Sequence, residues 1–277
     1  MLGMKATTLT LEAIEQYRNW CTARGRAENT VKAYCSDLRE FLKAAGENGA
    51  IVREEYEELA MSWLNLTRNS LSPKTTARRL TSIKGFAKWA GWGPVLVDYI
   101  APTPGRTIPH PIREGVVGLR AMIDKAKNHE QVALVALGGF VGCRVSESLS
   151  LTVSSFDAHD MLVTIRGKGD KTRTVPLSEE AWTFLIPAFA MAYTKEDQRL
   201  ISYKDRFARQ IVTNLGARAG LSRRIASHDL RATFATVAFD KANNIRVVQE
   251  LLGHSSVETT QGYTGVGVAQ MREAVKF

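Results

Sequence analysis

The chain has 277 residues, 44% of them hydrophobic, and a formal net charge of +9 at pH 7. A length of this kind suggests two domains at about 100–200 residues each, and a charged fraction of 23% is too low for a disordered polyelectrolyte. The longest nearly apolar run, from Val132 to Cys143, is shorter than the about 18 residues of a membrane-spanning helix, and no secretory signal precedes it, so a cytoplasmic protein without a membrane partner is expected.

The first hundred residues are predicted to form four helices. Apolar side chains recur at spacings of three and four in the first two helices. The first helix ends near Gly25, and the second begins after an N-cap at Asn29. The third lies in the acidic stretch 53–66. Ser72 and Pro73 begin the fourth, because serine caps helices well and proline is tolerated at the first helical position.

The fourth helix lies in a stretch without acidic residues. Aspartate and glutamate are absent between Glu58 and Asp98, and most basic residues there fall off the apolar stripe. This pattern predicts a positive face suited to the phosphate backbone of nucleic acid. A solvated amphipathic helix is the alternative, and net charge does not decide between them. The predicted DNA-binding residues are Arg68, Lys74, Arg78, Arg79, Lys84 and Lys88.

Prolines crowd the middle of the chain and mark a domain boundary. Five of the eight lie within or just before residues 101–112, which are therefore predicted to be a stiff, extended linker between domains 1–100 and 113–277. Two β-rich runs flank the glycine-rich loop 167–171 and predict a hairpin, with helices on both sides of it. The expected fold is mainly α with a small β-hairpin or sheet: a four-helix bundle followed by an α+β domain.

Two segments of the second domain carry arginines near other polar groups. His228 and Arg231 fall in the first turn of a helix predicted to be capped by Ser227, where free backbone amides favour an anion such as phosphate. Arg144 follows a run of glycines, and Glu147 three residues later can orient a neighbour. Each pair taken alone is also explained as ordinary surface residues.

Three further side chains stand in unusual local contexts. Lys168 lies at the predicted hairpin tip between two glycines, where a lysine is usually only a turn residue. His254 follows a predicted helix stop at Gly253. Tyr263 occurs in a polar segment, where a tyrosine of a hydrophobic core would be unexpected.

In chain order, these residues resemble the catalytic set of the tyrosine recombinase, or phage integrase, family. The flanking segments GCRVSESLSL, RGKGDKTRTVPL, SHDLRATFAT and LLGHSSVETTQGYTG also look like motif blocks of that family. The resemblance is strong over residues 130–265 and weaker over 8–92, where the family has a helical core-binding domain. It implies an enzyme that cleaves and rejoins duplex DNA at specific sites through a 3′-phosphotyrosyl intermediate.

The resemblance also implies a role for each residue. Tyr263 attacks the scissile phosphate, and Lys168 protonates the departing 5′-oxygen. Two arginines can neutralise the phosphate oxygens as a metal does elsewhere, and no DxD or HExxH cluster is present, so neither a metal nor a cofactor is expected. The remaining roles are phosphate binding by Arg144 and Arg231, acceptance of the Tyr263 proton by His228, hydrogen bonding to phosphate by His254, and support by Glu147.

The layout is that of a compact, Xer-like family member. The first predicted helix begins near residue 10, so no arm-binding domain is expected and DNA with core-type sites is the expected partner. The tail 264–277 is expected to dock on a neighbouring subunit and to build a homotetramer on synapsed DNA. Ala232 stands where the family commonly has a second histidine, and its effect is open.

Integration or excision of a phage or mobile element is the expected role, in the cytoplasm of a bacterial host if the gene is of phage origin. The alternatives are an Xer-type recombinase that resolves chromosome dimers, an enzyme like type IB topoisomerases that relaxes DNA, and a DNA-binding relative without catalysis. Whether a directionality factor takes part is left open.

Overall fold

The computed structural model describes residues 6–45, 49–103, 110–167, 171–195, 197–253 and 268–276. The chain divides into two compact units, Met1–Thr107 and Ile108–Phe277. Both are mainly helical and each has one small antiparallel sheet, which confirms the expected fold class. Within the described ranges, no helix is long and apolar enough to cross a membrane.

The N-terminal unit is a bundle of four helices, as the spacing of apolar residues predicts. Its sheet pairs a two-residue strand before the first helix with one before the third. The elements are β1 (Thr8–Leu9), α1 (Leu11–Ala23), α2 (Glu28–Ala45), β2 (Ile51–Val52), α3 (Arg53–Arg68) and α4 (Pro73–Ala90).

The structure confirms the predicted N-cap of α4 but not that of α2. Ser72 caps α4 by accepting a hydrogen bond from the amide of Thr75 at 3.2 Å, and Pro73 takes the first helical position, which confirms the prediction. Asn29, in contrast, lies inside α2 and does not cap it. The carbonyl of Ala27 already accepts bonds from the amides of the first turn, so the helix begins before the asparagine.

Two of the six predicted DNA-binding residues are bound within the bundle. Arg79 is buried, stacks over the ring of Trp63 at 4.4 Å and pairs with Glu40 on α2. Arg78 is half-buried and pairs with Asp37, a buried carboxylate. The prediction that α4 presents Arg79 to solvent is therefore wrong, because neighbouring helices supply partners that draw its side chain inward.

The other four basic residues of this stretch are more accessible. Three are exposed and one, Lys84, is half-buried. In the part of the chain that the structure describes, none of the four forms an ion pair. They are Arg68, Lys74, Lys84 and Lys88.

In the C-terminal unit, the helix α10 packs against five other helices, and a three-stranded antiparallel sheet contacts α11 and α12 through its strand β5. The sheet has the order β3-β4-β5, and β4 and β5 form the predicted hairpin with Ile165 opposite Arg173. The elements are α5 (Gly115–Asp124), α6 (His129–Gly139), α7 (Val145–Ser148), β3 (Phe156–Asp157), β4 (Leu162–Arg166), β5 (Thr172–Pro176), α8 (Glu179–Ala192), α9 (Asp205–Arg218), α10 (Ser227–Ala242), α11 (Ile245–Leu252) and α12 (Val268–Ala274).

The last helix, α12, packs on its own unit. It contacts α10, α11 and β5, and Ala274 and Val275 are buried there. Arg272 donates a hydrogen bond to the carbonyl of Asp160. Val268, the first residue of the helix, is 47% exposed.

Candidate active site

Three arginine side chains surround one buried carboxylate in the C-terminal unit. Glu147 is 4% exposed and accepts bonds from Arg144 Nη1 at 2.7 Å on Oε1 and from Arg173 Nη2 at 2.8 Å on Oε2. Arg173 Nη1 also donates to Oε1 at 3.2 Å, and Arg231 Nη1 lies 3.5 Å from Oε2. These four residues are called the arginine cluster below. The structure thus brings together Arg144, Glu147 and Arg231, which the sequence predicts for one site.

The turn before α7 places Arg144 and Glu147. Gly142 adopts φ +77°, and a Cβ atom there would lie 2.5 Å from the ring of Phe234, so only glycine fits. Arg144 then takes the extended N-cap position of α7, and its backbone amide donates to Glu147 Oε2 at 2.8 Å. The carboxylate is therefore held from its own helix as well as by the arginine side chains.

Arg231 connects α10 to two other chain segments. Its side chain is 3% exposed, and its guanidinium donates to the carbonyls of Gly142 and Leu252. Burial, and then the nearby charge of Arg144, lowers the pKa of Arg231 to about 10, so it stays cationic at neutral pH. The two carbonyls fix the orientation of a guanidinium that has five N–H donors in total.

Arg173 on β5 is a member of the cluster that the sequence did not indicate as functional. Besides its two bonds to Glu147, it donates from Nε to the carbonyl of Leu251 at 3.0 Å. Alternation along β5 puts it on the same face as the buried Val175. An arginine on the inward face of a strand requires a buried partner, and this signal could have identified it.

The electrostatics of the cluster favour an anion. Burial acts to raise the pKa of Glu147, but hydrogen bonds from Arg173 and Arg144 outweigh it and lower the pKa to about 2. Burial raises the pKa of the adjacent Cys143 thiol to about 12, so this group carries no charge at neutral pH. Three guanidiniums and one carboxylate therefore leave the cluster with two positive charges, and Arg144, 44% exposed, presents one of them to solvent.

His228 lies next to the cluster in sequence, in the first turn of α10, and is exposed. The helix begins one residue earlier than predicted. Its N-cap is Ala226, not Ser227, because Asp229 Oδ2 accepts the amide of Ala226 at 2.8 Å.

Lys168, His254 and Tyr263 lie outside the described residues. The residues before two of them are described, and both lie at the arginine cluster. A Cβ atom on Gly167 would stand 3.7 Å from Glu147 Oε1, and one on Gly253 would stand 2.8 Å from Arg173 Cδ. The described chain thus leads from the cluster into both segments.

Among the described residues, no three or more histidine, cysteine, aspartate or glutamate side chains are grouped so that they could hold a metal ion.

Comparison with protein-family models gives two matches that together cover most of the chain. The model described as the phage integrase family matches residues 119–269. The model described as the N-terminal SAM-like domain of phage integrases matches residues 14–93. The first match includes the whole arginine cluster, and the second includes most of the N-terminal bundle.

Curated relatives match along nearly their full length. The tyrosine recombinase XerA of Thermococcus onnurineus is 30% identical, over 95% of this chain and 94% of the relative. The tyrosine recombinase XerC of Mycobacterium bovis is 33% identical, over 90% and 91%. That of Mycobacterium sp. strain KMS is 34% identical, over 95% of both chains.

Two solved structures share the fold at low sequence identity. XerH site-specific recombinase bound to its difH substrate has a TM-score of 0.65 and 21% identity, over 95% of this chain and 82% of the other. A lambda integrase tetramer bound to a Holliday junction has a TM-score of 0.70 and 14% identity, over 95% and 82%. Both likenesses concern the fold.

Proposed function

The chain belongs to the phage integrase family and is a tyrosine recombinase, an enzyme that breaks and rejoins DNA strands, and on this premise we propose a site-specific reaction through a 3′-phosphotyrosyl intermediate on Tyr263. The observation that carries the proposal is the arginine cluster. A buried carboxylate holds guanidiniums from three chain segments, with two positive charges left over for a phosphate.

In the proposed reaction the Tyr263 oxygen attacks the scissile phosphorus, and the bond from phosphorus to the 5′-oxygen breaks. The phenolic proton passes to His228, and Lys168 gives a proton to the departing 5′-oxygen. Rejoining is the reverse step: the 5′-hydroxyl of another strand attacks the phosphotyrosine and releases Tyr263. One phosphodiester is exchanged for another, so no external energy source is needed.

Arg144 and Arg231 are proposed to bind the non-bridging oxygens of the phosphate. Charge builds on these oxygens in the transition state, and donors fixed before the reaction stabilise it without reorganisation. Arg231 is fixed by the carbonyls of Gly142 and Leu252, and Arg144 by Glu147. His254 is proposed to add a further hydrogen bond to the same phosphate.

DNA binding by the N-terminal unit is proposed to rest on four side chains. Arg78 and Arg79 are committed to carboxylates inside the bundle. The accessible basic residues remain free of ion pairs within the described residues and suit the phosphate backbone of duplex DNA with core-type sites. They are Arg68, Lys74, Lys84 and Lys88.

Two biological roles are compatible with this chemistry. The curated relatives that match 90–95% of both chains are Xer recombinases, and this observation favours an Xer-type role in resolving chromosome dimers. Integration or excision of a phage or mobile element stays a prediction, as does the use of a directionality factor.

Assembly into a homotetramer through the C-terminal tail is also proposed. In the single chain, α12 buries Ala274 and Val275 against α10, α11 and β5. The same two apolar side chains are proposed to anchor the tail on a neighbouring subunit when DNA sites are paired. The lambda integrase structure similar in fold is a tetramer on a Holliday junction.

Capture of covalent complexes from host DNA tests this function. The protein is incubated with sheared genomic DNA, stopped with denaturant, purified under denaturing conditions, and the attached DNA is sequenced. A site-specific recombinase gives a few strongly enriched sites, and two such sites on plasmids then exchange strands. Dispersed capture together with relaxation of any supercoiled plasmid would instead indicate a topoisomerase-like enzyme.

A further inference from the structure

We propose that Arg173 is a positioning residue for DNA cleavage: it holds the carboxylate of Glu147 in the orientation that keeps Arg144 and Arg231 available to the phosphate. This inference rests on the proposed assignment of those two arginines to the scissile phosphate. Arg173 itself is not proposed to touch DNA.

Each of the three guanidinium nitrogens of Arg173 donates a hydrogen bond inside the protein. Nη1 and Nη2 donate to the two oxygens of Glu147, and Nε donates to the carbonyl of Leu251. The side chain is 10% exposed. Arg144, in contrast, makes one side-chain bond to Glu147 and is 44% exposed. The two arginines therefore have different roles: Arg173 orients the carboxylate, and Arg144 is accessible to a ligand.

The carboxylate of Glu147 has its acceptor positions filled only when Arg173 is present. Oε1 accepts from Arg144 and Arg173, and Oε2 accepts from the Arg144 amide and Arg173 and lies near Arg231. Without the fork of Arg173, the carboxylate can turn and pair with both ends of the Arg144 guanidinium, a geometry that arginine and carboxylate favour. Arg144 would then be neutralised and withdrawn from the phosphate.

Arg173 also joins segments that are far apart in sequence. It links β5 to α7 through Glu147 and to the end of α11 through Leu251. A Cβ atom on Gly253 would lie 2.8 Å from its Cδ atom, so the arginine packs directly against the residue before His254. One side chain thereby couples the β-hairpin, α7 and the end of α11.

Charge adds a pH-dependent signature to this geometry. Among the described residues, the charged groups that face Glu147 are Arg144, Arg173 and Arg231, and the neighbouring Cys143 thiol is neutral. Arg173 makes the largest contribution that lowers the pKa of Glu147 against the effect of burial, so removal of its charge is expected to raise that pKa, with the bonds from Arg144 still in place. Protonation would then disable the carboxylate as the pH falls, so cleavage by a variant without this charge is expected to fall more steeply with pH than cleavage by the wild type.

The test compares single-turnover cleavage of the captured DNA site by Arg173→Lys, which keeps the charge and loses the fork, and Arg173→Gln, which loses both. Cleavage is expected to slow by about 100-fold in both, since small misplacements of reacting groups cost this much. The dissociation constant for DNA is expected to change less than about threefold. Relative to the wild type at each pH, Arg173→Gln is expected to lose further activity as the pH falls from 7 toward 5, and Arg173→Lys is not.

Arg120→Lys is the matched control, because Arg120 forms a similar two-bond pair with Glu180 away from the cluster, at 2.6 and 2.9 Å. It is expected to cleave like the wild type. In a Glu147→Gln background, Arg173→Lys is expected to add little, since both changes disrupt one unit. Single effects that multiply, or Arg173 variants that cleave like Arg120→Lys, would overturn the proposal.

Should a single variant fail to fold, the double variant Glu147→Gln, Arg173→Gln replaces it, because it leaves neither charge of the pair buried and unpaired. Cleavage by this variant that is slow, but no slower than that of Glu147→Gln alone, with DNA binding retained, supports a pair that acts as one unit, and a wild-type rate overturns the proposal. If the wild type forms no adduct that depends on Tyr263, the proposed function fails. If it does and the Arg173 variants match it, only the role of Arg173 fails.

Discussion

Arg231 Nη1 lies 3.5 Å from Oε2 of Glu147, and both side chains are almost fully buried, at 3% and 4% exposure. The same guanidinium donates to the carbonyls of Gly142 and Leu252. Burial of such charges is costly unless each is paired and hydrogen-bonded. The pair therefore makes the stability of the C-terminal unit and the geometry of its proposed phosphate site depend on the same contacts.

Glu147→Gln is expected to destabilise the protein in a pH-dependent way. The folded-state pKa of Glu147 is lowered to about 2 from a usual value of 4.5. A lowered pKa contributes stability that is fully present above about pH 4.5 and is lost as the pH falls toward 2. The contribution is roughly 3 kcal/mol at neutral pH. Denaturant unfolding at a series of pH values should show the difference between wild type and variant shrinking below pH 4.5.

Glu180→Gln is the control for that measurement, since Glu180 forms an exposed pair with Arg120. Exposed pairs contribute little, about 0–1 kcal/mol. A Glu147→Gln difference that stays constant between pH 6 and pH 3, or that is no larger than the Glu180→Gln difference, would contradict the assignment.

Gly253→Ala is expected to slow cleavage through Arg173. Gly253 has φ +63°, and a Cβ atom there would lie 2.8 Å from Arg173 Cδ. Gly220→Ala is a close control: it has φ +69° and nothing within 4 Å of the added atom. Both changes impose the left-handed backbone cost of about 1–2 kcal/mol. Only Gly253→Ala should reduce the rate of adduct formation, and equal rates in the two variants would count against the coupling.

The salt dependence of DNA binding should distinguish accessible from buried basic residues. Loss of a phosphate contact lowers the slope of log K against log salt by about 0.9. Lys74→Ala and Lys88→Ala together should lower it by about 2 if each contacts a phosphate. Lys32→Ala is the control, because the Lys32 side chain forms an exposed ion pair with Glu28, and it should leave the slope unchanged.

Arg79→Ala should behave differently from those lysine variants. It removes a buried side chain that packs on Trp63 and pairs with Glu40. The expected result is a lower unfolding temperature with an unchanged salt slope. A lowered slope in a variant that is as stable as the wild type would restore Arg79 to the DNA-binding set.

The tail is tested by placing a charge on its buried face. Ala274→Asp is expected to abolish complexes that hold two DNA duplexes while leaving binding to one duplex intact, because Ala274 is fully buried. Val268→Asp, at a position that is 47% exposed, is the control. Particle masses measured on DNA report the assembly. A full tetramer formed by Ala274→Asp would argue against assembly through α12.

Most helices and the β-hairpin could be predicted from the sequence, because apolar spacing and local caps such as Ser72 are encoded within one or two turns. The failures involve partners from elsewhere. The amphipathic pattern of α4 does not show that Glu40 and Trp63 lie beside Arg79. At α10 the side chain of Asp229 accepts a hydrogen bond from the amide of Ala226, so the helix begins one residue before the position that the expected serine cap predicts.

The same limit applied to the site. Arg144 and Arg231 were predicted because local motifs carry them. Arg173 was missed because its partners, Glu147 and Leu251, are 26 and 78 residues away in sequence. Only the tertiary fold joins these segments. The inward-facing position of Arg173 on β5 indicates that it needs a buried partner, but no pattern within β5 shows which residue that partner is.

Tyr263 is proposed as the nucleophile of a DNA strand exchange. The most direct test incubates the protein with a nicked suicide duplex built on the captured site and resolves covalent adducts on a denaturing gel. The wild type, Tyr193→Phe and Tyr203→Phe should form an adduct that a protease reduces to a peptide-linked strand, and Tyr263→Phe should form none. An undiminished adduct in Tyr263→Phe would show that another residue is the nucleophile.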